Sequence, residues 1–232
     1  MLIDPEVTKG SDLIRMLSLA TKSGVDYLFV GGSTVTEVEM DEALKLIKEF
    51  STLPVLIFPG SPQQINERAD ALLFLSLLSG RNPDLLIGKQ IESVPLLSNS
   101  QLEIISTGYL LIDGGKETTV AKLSQTTPLA QDKIEIIVNT ALAGQYLGMK
   151  LIYLEAGSGA INPVSTEIIK QTSKAIKLPL IVGGGLRSTS AASNALSAGA
   201  DIVVVGNILE KDPGLMTALA QMVRGQNKIL SQ

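Results

Sequence analysis

Neither cysteine nor histidine occurs among the 232 residues of the chain. Their absence excludes disulfides, thiol nucleophiles, imidazole bases and zinc sites built on thiolate or imidazole. A metal held here must be a hard cation bound by oxygen, Mg²⁺ above all. Proton transfer falls to Asp, Glu, Lys, Tyr or bound water. Tryptophan is also absent and aromatic residues make up 3%, so stacking platforms for bases are scarce. The formal net charge is −4 and no block of like charge stands out, which argues against a nucleic-acid partner. No apolar run reaches membrane-spanning length, and the opening MLIDPEVTKG lacks the basic and apolar regions of a signal peptide. A cytoplasmic protein is expected. The chain carries no GxGxxG after its first apolar run and no P-loop.

The hydrophobic fraction is 45% and the charged fraction 18%, enough for a large core. Eight short apolar runs recur: Met1–Ile3, Tyr27–Val30, Val55–Phe58, Ala71–Leu75, Ile104–Ile112, Leu151–Leu154, Leu180–Val182 and Ile202–Val205. Most lack polar alternation, the pattern of parallel strands buried on both faces. Helical periodicity fills the gaps at Ser11–Ser23, Glu39–Phe50, Ser165–Ala175, Thr189–Ala198 and Pro213–Arg224. A further helix is expected from a cap at Asp132 to about Leu147. Strand–helix alternation over this length predicts one (β/α)₈ barrel, a TIM barrel, across residues 1–232, with an open doubly wound sheet as the alternative. The polar stretch Gly114–Gln131 is expected as a long loop of the lid kind.

In such a barrel the chemistry sits at the C-terminal strand ends. Those ends are Asp4, Gly31-Gly32-Ser33, Pro59-Gly60, Ser76, Asp113, Glu155, Gly183-Gly184-Gly185 and Gly206-Asn207. No lysine is among them, which disfavours a Schiff-base aldolase. Glycines after strands seven and eight let backbone N–H groups approach an anion, and phosphate sites recur there in this architecture. Glu155 ends strand six. Buried, it would need partners, and it can accept from substrate hydroxyls, act as a base, or cap a helix. Ser158 and the N–H groups near Gly157 and Gly159 can extend the phosphate cradle. Asp4 and Ser33, on adjacent strand ends, suit a Mg²⁺ that substrate phosphates and water also hold; Asp4 as a helix cap is the alternative. Lys9 and Arg187 are candidate anion contacts or solvated residues.

The motifs LIDPE (Leu2–Glu6), VGGS (Val30–Ser33), FPGSP (Phe58–Pro62), LLFLSLLSGRNP (Leu72–Pro83), TGYLLIDGG (Thr107–Gly115), YLEAGSGA (Tyr153–Ala160), LIVGGGLRS (Leu180–Ser188) and VVVGN (Val203–Asn207) cover almost the whole chain. Together they resemble the geranylgeranylglyceryl phosphate synthases, relatives of heptaprenylglyceryl phosphate synthases. The resemblance implies transfer of a prenyl group from a prenyl diphosphate to the 3-hydroxyl of sn-glycerol 1-phosphate. It implies that Asp4 and Ser33 hold Mg²⁺. It places the glycerol phosphate on Tyr153, Leu154, Glu155, Ala156, Gly157, Ser158, Gly159, Gly184, Gly185, Gly206 and Asn207. Glu155 and Asp4 are then the catalytic residues. Leu72–Leu78 and Tyr109–Leu111 can line a groove for the prenyl tail, or be plain core. The chain departs from the family where Val7 stands at a position that is often lysine. The competing enzyme reading is an isomerase or cyclase acting on a phosphorylated sugar, with Asp4 and Asp113 as acid and base. A non-catalytic phosphate binder is a third. Mean hydropathy of +0.30 points to buried helix faces and a homo-oligomer.

Overall fold

The computed structural model describes residues 1–230. Eight parallel strands follow one another around a ring in sequence order. They are β1 (Leu2–Ile3), β2 (Leu28–Val30), β3 (Val55–Ile57), β4 (Ala71–Leu77), β5 (Glu103–Leu111), β6 (Leu151–Glu155), β7 (Leu180–Gly183) and β8 (Ile202–Val204). The Leu2 N–H donates to the Val205 carbonyl at 2.9 Å, which joins the last strand to the first and rules out the open sheet. Each expected apolar run overlaps one strand. β4 continues past its expected end to Leu77, so Ser76 is not a strand-end residue; its hydroxyl donates to the Leu86 carbonyl.

Side chains alternate across every strand. Phe29, Leu73, Leu77, Tyr109, Leu111, Tyr153, Ile181 and Val204 fill the barrel interior. Their neighbours, among them Ile3, Val30, Ile57, Leu110, Leu154 and Val182, pack outward against the helices. Both faces are buried, which explains the unbroken apolar runs.

The helices are α1 (Gly10–Ser23), α2 (Glu37–Phe50), α3 (Lys89–Leu97), α4 (Thr119–Ser124), α5 (Ile134–Tyr146), α6 (Thr166–Ala175), α7 (Thr189–Ser197), α8 (Asn207–Lys211) and α9 (Gly214–Leu230). Local chemistry sets their starts. Thr36 and Glu39 form a reciprocal capping box on α2, and Ser165 and Ser188 cap α6 and α7. Asp132 does not cap α5. The N-cap is Lys133 without a side-chain bond, and the Asp132 carboxylate lies 3.7 Å from the Lys133 ammonium instead. Gly114–Gln131 is not a bare loop, because Thr118 accepts from the Ala121 N–H and starts α4 across the barrel mouth.

One connection shapes the site more than any other. Between β3 and β4 the chain makes only a 3₁₀ turn, Pro62–Gln64, where the fold elsewhere places a helix. The outward side chains of Leu72 and Phe74 on β4 therefore come to line a cavity wall, Leu72 buried in the outer core and Phe74 part-exposed. Beyond it stands α3, led by a π-helical turn at Asp84–Gly88. Among the described residues no helix is long and apolar enough to cross a membrane.

Candidate active site

A cavity of about 790 Å³ opens at the C-terminal end of the barrel and runs outward over β4 towards α3. Asp4, Ser33, Tyr153, Glu155, Gly157, Ser158, Gly159, Gly184, Gly185, Gly206 and Asn207 all line it. Leu154 and Ala156 do not. Their side chains point into the outer core, and the Ala156 N–H is taken by the Gly183 carbonyl.

At one end lies a cradle of backbone. Among the described residues the N–H groups of Ser158, Gly159, Gly184 and Gly185 have no protein acceptor. The Ser158 hydroxyl donates to the Asn207 carboxamide oxygen at 3.1 Å and ties the loop after β6 to the end of β8. Arg187 donates to the carbonyls of Gly159 and Ala160 at 3.1 and 2.6 Å and holds that loop in place. Its guanidinium thus works on the loop while still lining the cavity. Unpaired N–H groups lining one cavity, with a guanidinium nearby, suit an anion.

Glu155 sits beneath this cradle, and β6 turns it inward. Its Oε1 accepts from the Gly157 N–H at 2.7 Å, so it braces its own loop and caps no helix. Burial raises its carboxyl to about 7, against the opposing pull of the Gly157 N–H and the Tyr153 hydroxyl. The Tyr153 hydroxyl is itself buried and has no hydrogen-bond partner among the described residues. Both groups crowd Gly183, where a Cβ would lie 2.5 Å from the tyrosine oxygen and 2.6 Å from Glu155 Oε2. Below them Phe58 stacks on Tyr153 with ring centroids 5.3 Å apart, and Tyr109 meets Tyr153 edge-on at 5.6 Å. The floor is therefore aromatic, and a carboxyl poised near neutrality stands over it. That arrangement suits a general base.

The opposite wall carries carboxyl and hydroxyl oxygens. Asp4 is half-buried, and burial raises its carboxyl above the usual range. Its Oδ1 accepts from the Glu6 N–H at 3.0 Å, so it organises its own turn and caps no helix. Glu210 on α8, which the sequence did not single out, lines the same wall and bonds weakly to the Thr8 hydroxyl at 3.4 Å. Burial and the charge of Asp4 raise its carboxyl. Lys9 is committed to Glu39 at 2.7 Å and does not line the cavity. Val7 is largely exposed, and the cavity lysines are Lys89 and Lys211.

Of the residues expected to line a groove or be plain core, only some reach the cavity. Leu72, Leu73, Phe74, Leu75, Leu77 and Tyr109 line the cavity, whereas Leu78, Leu110 and Leu111 do not. Asp113, the second acid–base residue of the sugar-phosphate reading, is exposed, stands outside the cavity and accepts from the Gly115 N–H at 2.8 Å. Asp113→Asn is accordingly expected to leave kcat within about twofold, as for a surface substitution; a loss of hundredfold in a steady-state assay would restore that reading.

Fold and site together define a (β/α)₈ barrel enzyme with unpaired backbone N–H groups at one end of its cavity and an apolar annexe beside them. More narrowly, the chain belongs to the PcrB family, whose model matches residues 1–225. It is 46% identical over 232 residues to the geranylgeranylglyceryl phosphate synthase of Spirosoma linguale, covering 100% of this chain and 93% of that protein. It is 43% identical over 212 residues to the synthase of the same name from Thermococcus gammatolerans, covering 91% and 83%. Among solved structures, (S)-3-O-geranylgeranylglyceryl phosphate synthase from Thermoplasma acidophilum, in complex with its substrate sn-glycerol-1-phosphate, superimposes with a TM-score of 0.90. That protein is 35% identical, and the match covers 95% of this chain and 90% of that one.

Proposed function

We propose that this chain is a prenyltransferase that joins geranylgeranyl diphosphate to the 3-hydroxyl of sn-glycerol 1-phosphate. The observation that carries the reading is the position of Glu155. It stands between a backbone anion cradle and an apolar groove, with its carboxyl raised to about 7. The phosphate of the acceptor sits on the N–H groups of the loops after β6, β7 and β8. Its 3-hydroxyl then points at Glu155, which takes the proton. The hydroxyl oxygen forms the new ether bond to the allylic carbon, and the C–O bond to diphosphate breaks with its electron pair leaving on the diphosphate. The aromatic floor of Phe58, Tyr109 and Tyr153 keeps water from the allylic carbon, and the tail lies over Leu72 and Phe74.

The donors on the Asp4 wall fit a weakly held Mg²⁺. They are hard oxygens, Asp4 is half-buried without a cationic hydrogen-bond partner, and no cluster of three potential ligands exists among the described residues to chelate a metal unaided. Asp4 and Ser33 would hold it. Bound there, Mg²⁺ supplies charge neutralisation for the leaving diphosphate. Activity should vanish on chelation with EDTA and return with Mg²⁺; full activity in EDTA would remove the metal from the proposal. A set of donors of different chain length, compared by kcat/KM, tests the geranylgeranyl assignment. The reading includes self-association, for which exposed apolar side chains such as Ile91 and Val94 on α3 and Tyr146 at the end of α5 speak; sedimentation of the purified protein checks it.

A further inference from the structure

We infer that Gln64 is a positioning residue for the diphosphate end of the site, an inference that rests on the assignment of Asp4 and Ser33 to that end. Gln64 closes the 3₁₀ turn between β3 and β4 and is almost wholly buried. A buried carboxamide needs a reason, because each of its unpaired atoms costs stability. Here all of its hydrogen bonds go to the two loops beside the proposed cation wall. The Nε2 donates to the Gly32 carbonyl at 2.8 Å and to the Val35 carbonyl at 2.9 Å. The Oε1 accepts from the Gly60 N–H at 2.9 Å. The side chain therefore grips the loop after β2 on both sides of Ser33 and Thr34 and fastens it to the loop after β3.

The rest of the contact shows how tightly that loop is held. A Cβ on Gly60 would lie 2.5 Å from the Gly32 carbonyl oxygen and 2.9 Å from the Ser33 Cα. On the other side Thr34 donates to the Glu6 carboxylate at 2.6 Å, and a Cβ on Gly32 would lie 3.1 Å from Asp4 Oδ2. The loop carrying Ser33 is thus clamped between the Asp4–Glu6 turn and the Gly60–Gln64 turn. Gln64 itself does not line the cavity, whereas Ser33, Gly60 and Ser61 do. It touches no substrate and acts through the position of Ser33. The missing β3–β4 helix gives this a structural sense. The short turn that leaves room for a tail also has to secure the neighbouring loop, and one carboxamide does so.

Gln64→Met keeps the length of the side chain and removes its hydrogen bonds. The expected result is a split: KM for geranylgeranyl diphosphate and the calorimetric Kd for inorganic diphosphate in Mg²⁺ rise by at least about tenfold, while KM for sn-glycerol 1-phosphate stays within about twofold. Ser33→Ala, measured in parallel, tells the two claims apart. If Ser33→Ala weakens diphosphate binding and Gln64→Met does not, positioning by Gln64 is wrong. If Ser33→Ala changes neither constant, the assignment of Ser33 fails and takes the role of Gln64 with it. Equal loss of affinity for both substrates in Gln64→Met would mean a general structural role and also overturn the inference. Should Gln64→Met not fold, Gln64→Asn retains the carboxamide but withdraws it by one methylene, and the same split is expected of it.

Discussion

Glu155→Gln is expected to lower kcat by about 10²–10⁴-fold, the usual contribution of a positioned general base, and at the same time to make the protein more stable at pH 8. The two effects have one cause. Burial moves the carboxyl from 4.5 to about 7. Between those values the folded protein keeps a proton that the unfolded chain has released, so stability falls as pH rises through the window and is lowest above it. The difference is on the order of 3 kcal/mol for such a shift. Glutamine carries no charge there, so the variant should melt several degrees above the parent at pH 8, at roughly 2–4 °C per kcal/mol for a chain of this size. At pH 4 both states of the parent hold the proton and the gain should disappear. The same carboxyl predicts that kcat/KM of the parent climbs with pH through about 7 and then levels. A variant that is inactive but less stable at pH 8 would mean that Glu155 is held by structural bonds and not strained by burial.

Gly184→Ala is expected to cripple acceptor binding without touching the donor. Gly184 has φ +78, and a Cβ there would lie 2.4 Å from Glu155 Oε1 and 2.6 Å from the Gly157 nitrogen. The left-handed backbone alone costs about 1–2 kcal/mol with a side chain. The clash must also push the Glu155 carboxyl or the Gly157 loop away, and that loop is the proposed phosphate cradle. KM for sn-glycerol 1-phosphate should rise by at least about tenfold and kcat should fall, because an ångström of displacement at reacting groups costs up to about a hundredfold. KM for the prenyl donor, held on the far wall, should change little. Kinetics in which both constants stay near parental values would show that the loop after β7 is not part of the acceptor site.

The barrel could be read from the chain because its strands are buried on two faces. Tyr27–Val30 and Leu151–Leu154 have no polar residue to break the run, and the glycines that follow β7 mark the turn at the barrel mouth. The place of Glu155 in the cavity was legible for a related reason, since a glutamate ending an apolar strand demands explanation. Other parts were hidden by competing signals. Pro83, Gly88 and Pro95 mask the turn and helix at Asp84–Leu97, although the segment buries Ser93 and Leu97. Threonines and lysines made Gly114–Gln131 look like loop, and the single cap at Thr118 was enough to start α4. Asp132 looked like a cap because the residue type is right, yet the helix begins after Lys133. Gln64 and Glu210 gave no local signal at all. Their roles arise from contacts with residues far away in sequence, Gly32 and Val35 for the first and Thr8 for the second. Which of Leu72–Leu78 face the groove depended on a helix that the β3–β4 connection lacks, and no pattern within β4 records that.

The most direct test of the account is product formation by the purified protein with Mg²⁺, geranylgeranyl diphosphate and either sn-glycerol 1-phosphate or sn-glycerol 3-phosphate, read by mass spectrometry. The account predicts a geranylgeranyl ether of the 1-phosphate, with inorganic diphosphate released in equal amount. Absence of any ether from folded protein, with thermal stabilisation by phosphoribosyl compounds instead of glycerol phosphate, would contradict it.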